Sequence, residues 1–125
     1  MKKYKRSGYG IKFTVIENGI LPPHGFSAIN PGVIFTRDMR LLSDNTMRHE
    51  AIHTLQAREM LYIPYYLLYG LEFLVKSCIC RSFDTGYRSV SFEQEAYRNS
   101  QNLNYRQERK RFAFAKCIFK MYVKS

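Results

Sequence analysis

Ser43-Asp-Asn-Thr-Met-Arg-His-Glu-Ala-Ile-His-Thr-Leu-Gln-Ala-Arg-Glu-Met60 is the stretch on which the fold turns. Ser43 and Asp44 are both competent N-caps, because a short side-chain oxygen at that position accepts from an orphan backbone N–H of the first turn. Behind them Met47, Ala51, Ile52, Leu55 and Met60 recur at helical spacing and supply an apolar stripe. The pattern predicts a helix from Ser43 or Asp44 to about Met60. Residues four apart lie on one face of such a helix, so His49 and His53 can offer imidazole nitrogens to a single zinc ion. Glu50 follows His49 but is rotated around the helix, where it can approach a zinc-bound water instead of the metal. Zinc lowers the pKa of that water to about 7, within reach of a carboxylate acting as base. Two of the chain's three histidines lie in this motif, and His24 is the other.

Upstream, the chain reads as strand and turn. Residues 11–16 are a short β-rich run, and residues 19–23, with Gly19 and Pro22-Pro23, break it. Residues 26–30 and 33–37 flank Pro31-Gly32, a turn signal that predicts a hairpin. Downstream, Pro64 suits the first turn of a second helix over residues 63–78. Asp84-Thr85-Gly86 marks a loop over residues 81–90. Ser91 with Gln94 three residues later has capping-box form and opens a third helix. Residues 99–104 weaken it, and a basic fourth helix is expected from about Tyr105 toward the C-terminus. The expectation is one α+β domain over residues 1–125, mainly helical, with a β-rich part at 1–42 and about four helices in 43–125.

The bulk numbers agree with a single small core: 125 residues, 46% hydrophobic, with ten Tyr and nine Phe. The net charge of +10 implies attraction to polyanions without choosing among them. Cys78, Cys80 and Cys117 form no Cys-x-x-Cys pair, which reads as reduced thiols in a cytoplasmic protein. The basic Met1-Lys-Lys-Tyr-Lys-Arg6 is followed by no apolar run, so no export signal is expected. Residues 61–75 are apolar nearly all round but contain Pro64, Gly70 and Glu72, and fall short of the ~20 residues of a spanning helix. They are expected to form the central core helix, with a shallow membrane contact or a dimer face as alternatives. Arg106, Arg109, Lys110, Arg111, Lys116, Lys120 and Lys124, interleaved with Phe112, Phe114, Phe119 and Tyr122, read as a solvated basic face. An anionic lipid surface is the other reading of that run, peripheral to the inner face of the membrane. No recognisable nucleic-acid motif accompanies it.

Catalytic zinc takes three protein ligands and leaves a place for water. The richest source of the third is Phe92-Glu-Gln-Glu-Ala-Tyr97. Glu93 and Glu95 point roughly 200° apart on a helix, so only one can face the metal. His-Glu-x-x-His with Gln three residues later, an apolar helix, then Glu-x-x-Ala on a later helix together resemble the gluzincins, the thermolysin-like superfamily. The likeness is to its small bacterial members and covers about residues 43–105.

The resemblance implies a minimal zincin-like fold with Glu93 as third ligand, Glu95 as its competitor, and Ala96 allowing close helix approach. Where many gluzincins carry Asp four residues after the ligand Glu, this chain has Tyr97, whose hydroxyl would support a histidine instead. Gln56 would orient Glu93 or a ligand histidine. Tyr97 and Tyr105 are the candidates to stabilise an oxyanion, since no histidine follows His53. Residues 32–37 would be the edge strand that pairs with an extended peptide substrate. The function implied is a zinc metallopeptidase acting on a peptide or protein. The second reading is an inactive zinc-stabilised binding module at a membrane or protein partner, and the third is a basic nucleic-acid-binding protein.

Overall fold

A computed structural model describes residues 2–17, 26–29, 33–36 and 42–120. The architecture is α+β and mostly helical. Four strands come first, β1 (Lys2–Gly8), β2 (Ile11–Glu17), β3 (Phe26–Ile29) and β4 (Val33–Thr36), in the spatial order β1-β2-β4-β3. β1 and β2 are antiparallel, β2 and β4 parallel, and β3 and β4 antiparallel. The helices follow: α1 (Asp44–Glu59), α2 (Ile63–Cys80), α3 (Phe83–Ser89), α4 (Ser91–Asn99), the single turn α5 (Tyr105–Glu108), and a 3₁₀ turn at Ala113–Cys117.

The hairpin expected around Pro31-Gly32 is present as β3 and β4, although its turn lies outside the described residues. β1 lies in the part expected to be β-rich, but no particular strand is legible there, because its lysines conceal one. Lys3, Lys5 and Ser7 face solvent while Tyr4, Arg6 and Gly8 turn inward. Charged outward residues on a sheet edge discourage pairing with another chain, so this composition suits the position. Tyr9 and Gly10, both at positive φ, make the two-residue turn into β2.

Ile11, Phe13 and Val15 of β2 then point inward with Ile34, Leu42, Met47 and Ala51, forming the core between sheet and α1. α1 approaches so closely that a Cβ on Gly8 would stand 2.5 Å from the Met47 carbonyl oxygen. Gly8→Ala is therefore expected to destabilise the fold by about 1–3 kcal/mol, read as a lower denaturant midpoint at unchanged m-value.

Helix boundaries track local chemistry. Ser43 caps α1 by accepting from the Thr46 N–H at 3.1 Å. The loop expected at residues 81–90 is instead α3. Ser82 caps it, accepting from the Thr85 N–H, and Gly86 serves packing and not a turn. A Cβ there would lie 2.6 Å from Ser77 Cα, so the glycine lets α3 lie against α2. The capping box expected at Ser91 is also absent. Ser91 is the first residue of α4, and its hydroxyl donates to Glu72 Oε2.

The basic C-terminal helix is not continuous. It is α5, a break, and the 3₁₀ turn, with Phe114 and Cys117 buried. A second core joins Ala57, Tyr65, Val90, Phe92 and Phe114 between α1, α2, α4 and that turn. α2 itself is not the central core helix expected for residues 61–75. Its buried residues are Tyr65, Glu72, Lys76 and Ser77, and most of its aliphatic side chains face outward.

Candidate metal centre

α1 and α4 bring His49, His53 and Glu93 together. His49 Nε2, His53 Nε2 and Glu93 Oε1 form a triangle whose three sides are each 3.1 Å. Hydrogen bonding cannot satisfy all three sides at once. With both Nε2 atoms protonated, each donates to Glu93 while the two N–H groups confront each other across the third side. One cation at the centre would satisfy all three. Bonds of ~2.0–2.1 Å at the tetrahedral angle give donor separations of about 3.3 Å, close to those found. The donors are deep in the protein, at 8% exposure for His49, 6% for His53 and 3% for Glu93.

The surroundings orient each donor. Gln56 Nε2 donates to the Phe92 carbonyl at 2.9 Å and to Glu95 Oε1 at 3.0 Å. With the amide nitrogen so engaged, Gln56 Oε1 must accept, and it lies 2.8 Å from His53 Nδ1. When the ring gives up one proton, the proton it keeps is thereby held on Nδ1 and the Nε2 lone pair is aimed into the triangle. Of the two roles open to Gln56, orienting Glu93 or a histidine, the geometry gives the histidine. Glu93 in turn accepts a 2.5 Å hydrogen bond at Oε2 from the Tyr69 hydroxyl, which leaves Oε1 for the centre. Ala96 is fully buried against Ile52, where α4 meets α1.

Glu95 faces away from the triangle. Its carboxylate accepts from Arg109 Nε at 2.5 Å and from the Tyr105 hydroxyl at 2.7 Å. Arg109 also forks onto Glu59, with Nη1 to Oε2 at 3.1 Å and Nη2 to Oε1 at 2.7 Å. Arg109, expected on a solvated basic face, is thus buried between two carboxylates and joined through Glu95 and Gln56 to His53. Tyr105, expected near an oxyanion, is instead part of this array. The sequence ties neither Arg109 nor Tyr69 to the histidines, because no local pattern marks a partner so far along the chain.

Charge in the centre is strongly coupled. Burial alone would keep His53 neutral, but Glu93 beside it and Glu50 further off raise its pKa to about 9. Burial would likewise raise Glu93, yet the two histidines, His53 foremost, hold its carboxyl well below the usual range. These are two views of one ion pair, and a metal competes with the proton for the same nitrogen. Glu50 is half-buried, and burial raises its pKa, partly offset by His53 and His49.

Tyr97 does not support a histidine through its hydroxyl. Its ring meets the His49 ring edge-on, with centroids 4.4 Å apart. Burial raises the pKa of both Tyr97 and its hydrogen-bonded neighbour Tyr87, and both feel the charge of Glu93 and Glu50, so the pair borders the centre. The expected substrate strand at residues 32–37 is corrected by the sheet order: β4 lies between β2 and β3, with both of its edges paired, and the sheet edges are β1 and β3. No protein family, curated protein or solved structure matches this chain, so its assignment rests on the geometry of the centre.

Proposed function

We propose that His49, His53 and Glu93 hold a zinc ion and that the domain is a minimal zincin-like metallopeptidase. The observation that carries this reading is the equal-sided donor triangle with Glu50 on the same helix. When bound, zinc supplies a Lewis acid that acidifies a water and polarises a carbonyl. Glu50 takes the proton from the attacking water and passes it to the leaving amine. Its burial raises its pKa, the direction a proton shuttle needs. Tyr97, whose ring lies against His49, offers its hydroxyl to the oxygen that gains charge. Peptide as the substrate class rests on the resemblance to gluzincins.

The depth of the donors favours a second reading, zinc as a structural staple of a binding module, since structural sites are closed to solvent. Elemental analysis tests what both share. One zinc per chain is expected in the wild type, and less than a tenth of that in Glu93→Ala. Folded wild type that takes up no zinc when offered it overturns both readings.

A further inference from the structure

α2 is built inside out. Its two charged residues, Glu72 and Lys76, are buried at 7% and 5% exposure and pair with each other at 2.7 Å. Lys76 Nζ also donates to the Ser89 carbonyl at 2.6 Å and the Lys120 carbonyl at 3.1 Å. Glu72 accepts from the Ser91 N–H at 2.8 Å and from its hydroxyl at 2.7 Å. The polar groups of this helix therefore serve the protein interior. Every exposed residue of α2 is uncharged. Ile63, Leu67, Leu71, Val75 and Ile79 stand four apart, at 72%, 69%, 60%, 49% and 66% exposure, with Leu74 beside them at 59%. Phe83, 73% exposed and stacked on Phe73, continues the surface past the helix end. From Ile63 to Ile79 the face runs about 24 Å. A water-facing helix has the opposite polarity, and a contiguous apolar face of this extent marks an interaction site.

We infer that this face seats the protein on one leaflet of an anionic lipid bilayer, with α2 lying in the plane of the membrane. Charge identifies the occupant. The chain carries a net +10. Exposed Arg58, in the last turn of α1 before the connection to α2, and Arg81, the residue that ends α2, lie outside the apolar stretch, where they would meet headgroups while the aliphatic side chains enter the acyl region. An upright, spanning helix does not fit. α3 packs along α2, and its exposed Asp84 and Arg88 would be drawn into hydrocarbon. Tyr69 on the same helix holds Glu93, so the seated helix sets the candidate centre one helix width from the lipid. The seat itself does not depend on which metal, if any, that centre holds.

The chain contains no Trp, so Leu71→Trp places a single reporter in the face and Gln101→Trp a control on the exposed turn after α4. The protein is mixed with phosphatidylcholine vesicles, with or without 30% phosphatidylglycerol, and floated on a density gradient. The expected result is flotation with the phosphatidylglycerol vesicles, weakened by 0.5 M salt. A blue-shifted emission quenched by brominated acyl chains is expected for Leu71→Trp and not for Gln101→Trp. Leu67→Glu/Leu71→Glu should cut the bound fraction at least tenfold with unchanged circular dichroism. Flotation that the double variant does not reduce overturns the proposal. So does wild type that stays off both vesicle types, or a solution dimer that the double variant splits, which would make the face a protein interface.

Discussion

Glu50→Gln is expected to keep one zinc per chain and the wild-type fold while losing roughly 10²–10⁴-fold in peptide hydrolysis, the span of a positioned general base. The amide matches the carboxylate in shape but cannot take a proton. Glu50 is not among the three donors of the triangle, so metal content should not change. A fluorogenic peptide library, with elemental analysis on the same preparations, checks both halves. Equal turnover in wild type and variant would remove Glu50 from the chemistry. Absence of turnover in zinc-loaded wild type, with Glu50→Gln equally able to bind a partner, would instead favour the structural staple. His53→Ala cannot separate these cases, because it removes a donor and the fold's support together.

Arg109→Ala should have the largest effect on stability. It leaves the Glu59 and Glu95 carboxylates facing each other without the guanidinium that bridges them, and Glu95 is wholly buried. Removing one partner of a buried ion pair costs about 3–5 kcal/mol, a large part of a small domain's stability. The damage should also reach the metal. Glu95 anchors the Gln56 amide that holds the proton of His53 on Nδ1, and loss of such outer support typically weakens metal binding 10–100-fold. Chemical denaturation and competition with a zinc chelator measure the two effects separately. Arg109→Lys keeps one positive charge but not the fork onto two carboxylates, and should fall between the wild type and Arg109→Ala. If Arg109→Ala proved as stable as wild type, the ion-pair array would have no energetic role.

What could be read along the chain was what local chemistry decides. The Ser43 cap, the i,i+4 histidines and the Pro64 helix start each involve residues within a turn of one another. The placing of Glu93 in the triangle and Glu95 with Arg109 follows the roughly 200° between them once one face is assigned. Failures came where meaning depends on a distant partner. Gly86 has the composition of a turn until Ser77 is seen against it. Lys3 and Lys5 look like a solvated tail until β2 pairs beside them. Arg109 is one cation in a basic run until two carboxylates enclose it. The apolar stretch at 61–75 was expected inside because apolar residues usually are, and there the partners of Glu72 and Lys76 decided otherwise.

The tie between Arg109 and α1 has a consequence for biosynthesis. A nascent chain presents both histidines, Glu59 and both carboxylates of α4 before the residue that neutralises Glu59 and Glu95 has been made. Until Arg109 emerges, packing α4 on α1 would bury uncompensated negative charge, so the two helices are held apart electrostatically and the donor triangle stays open. Assembly of the donor triangle is thereby deferred until Arg109 has been made.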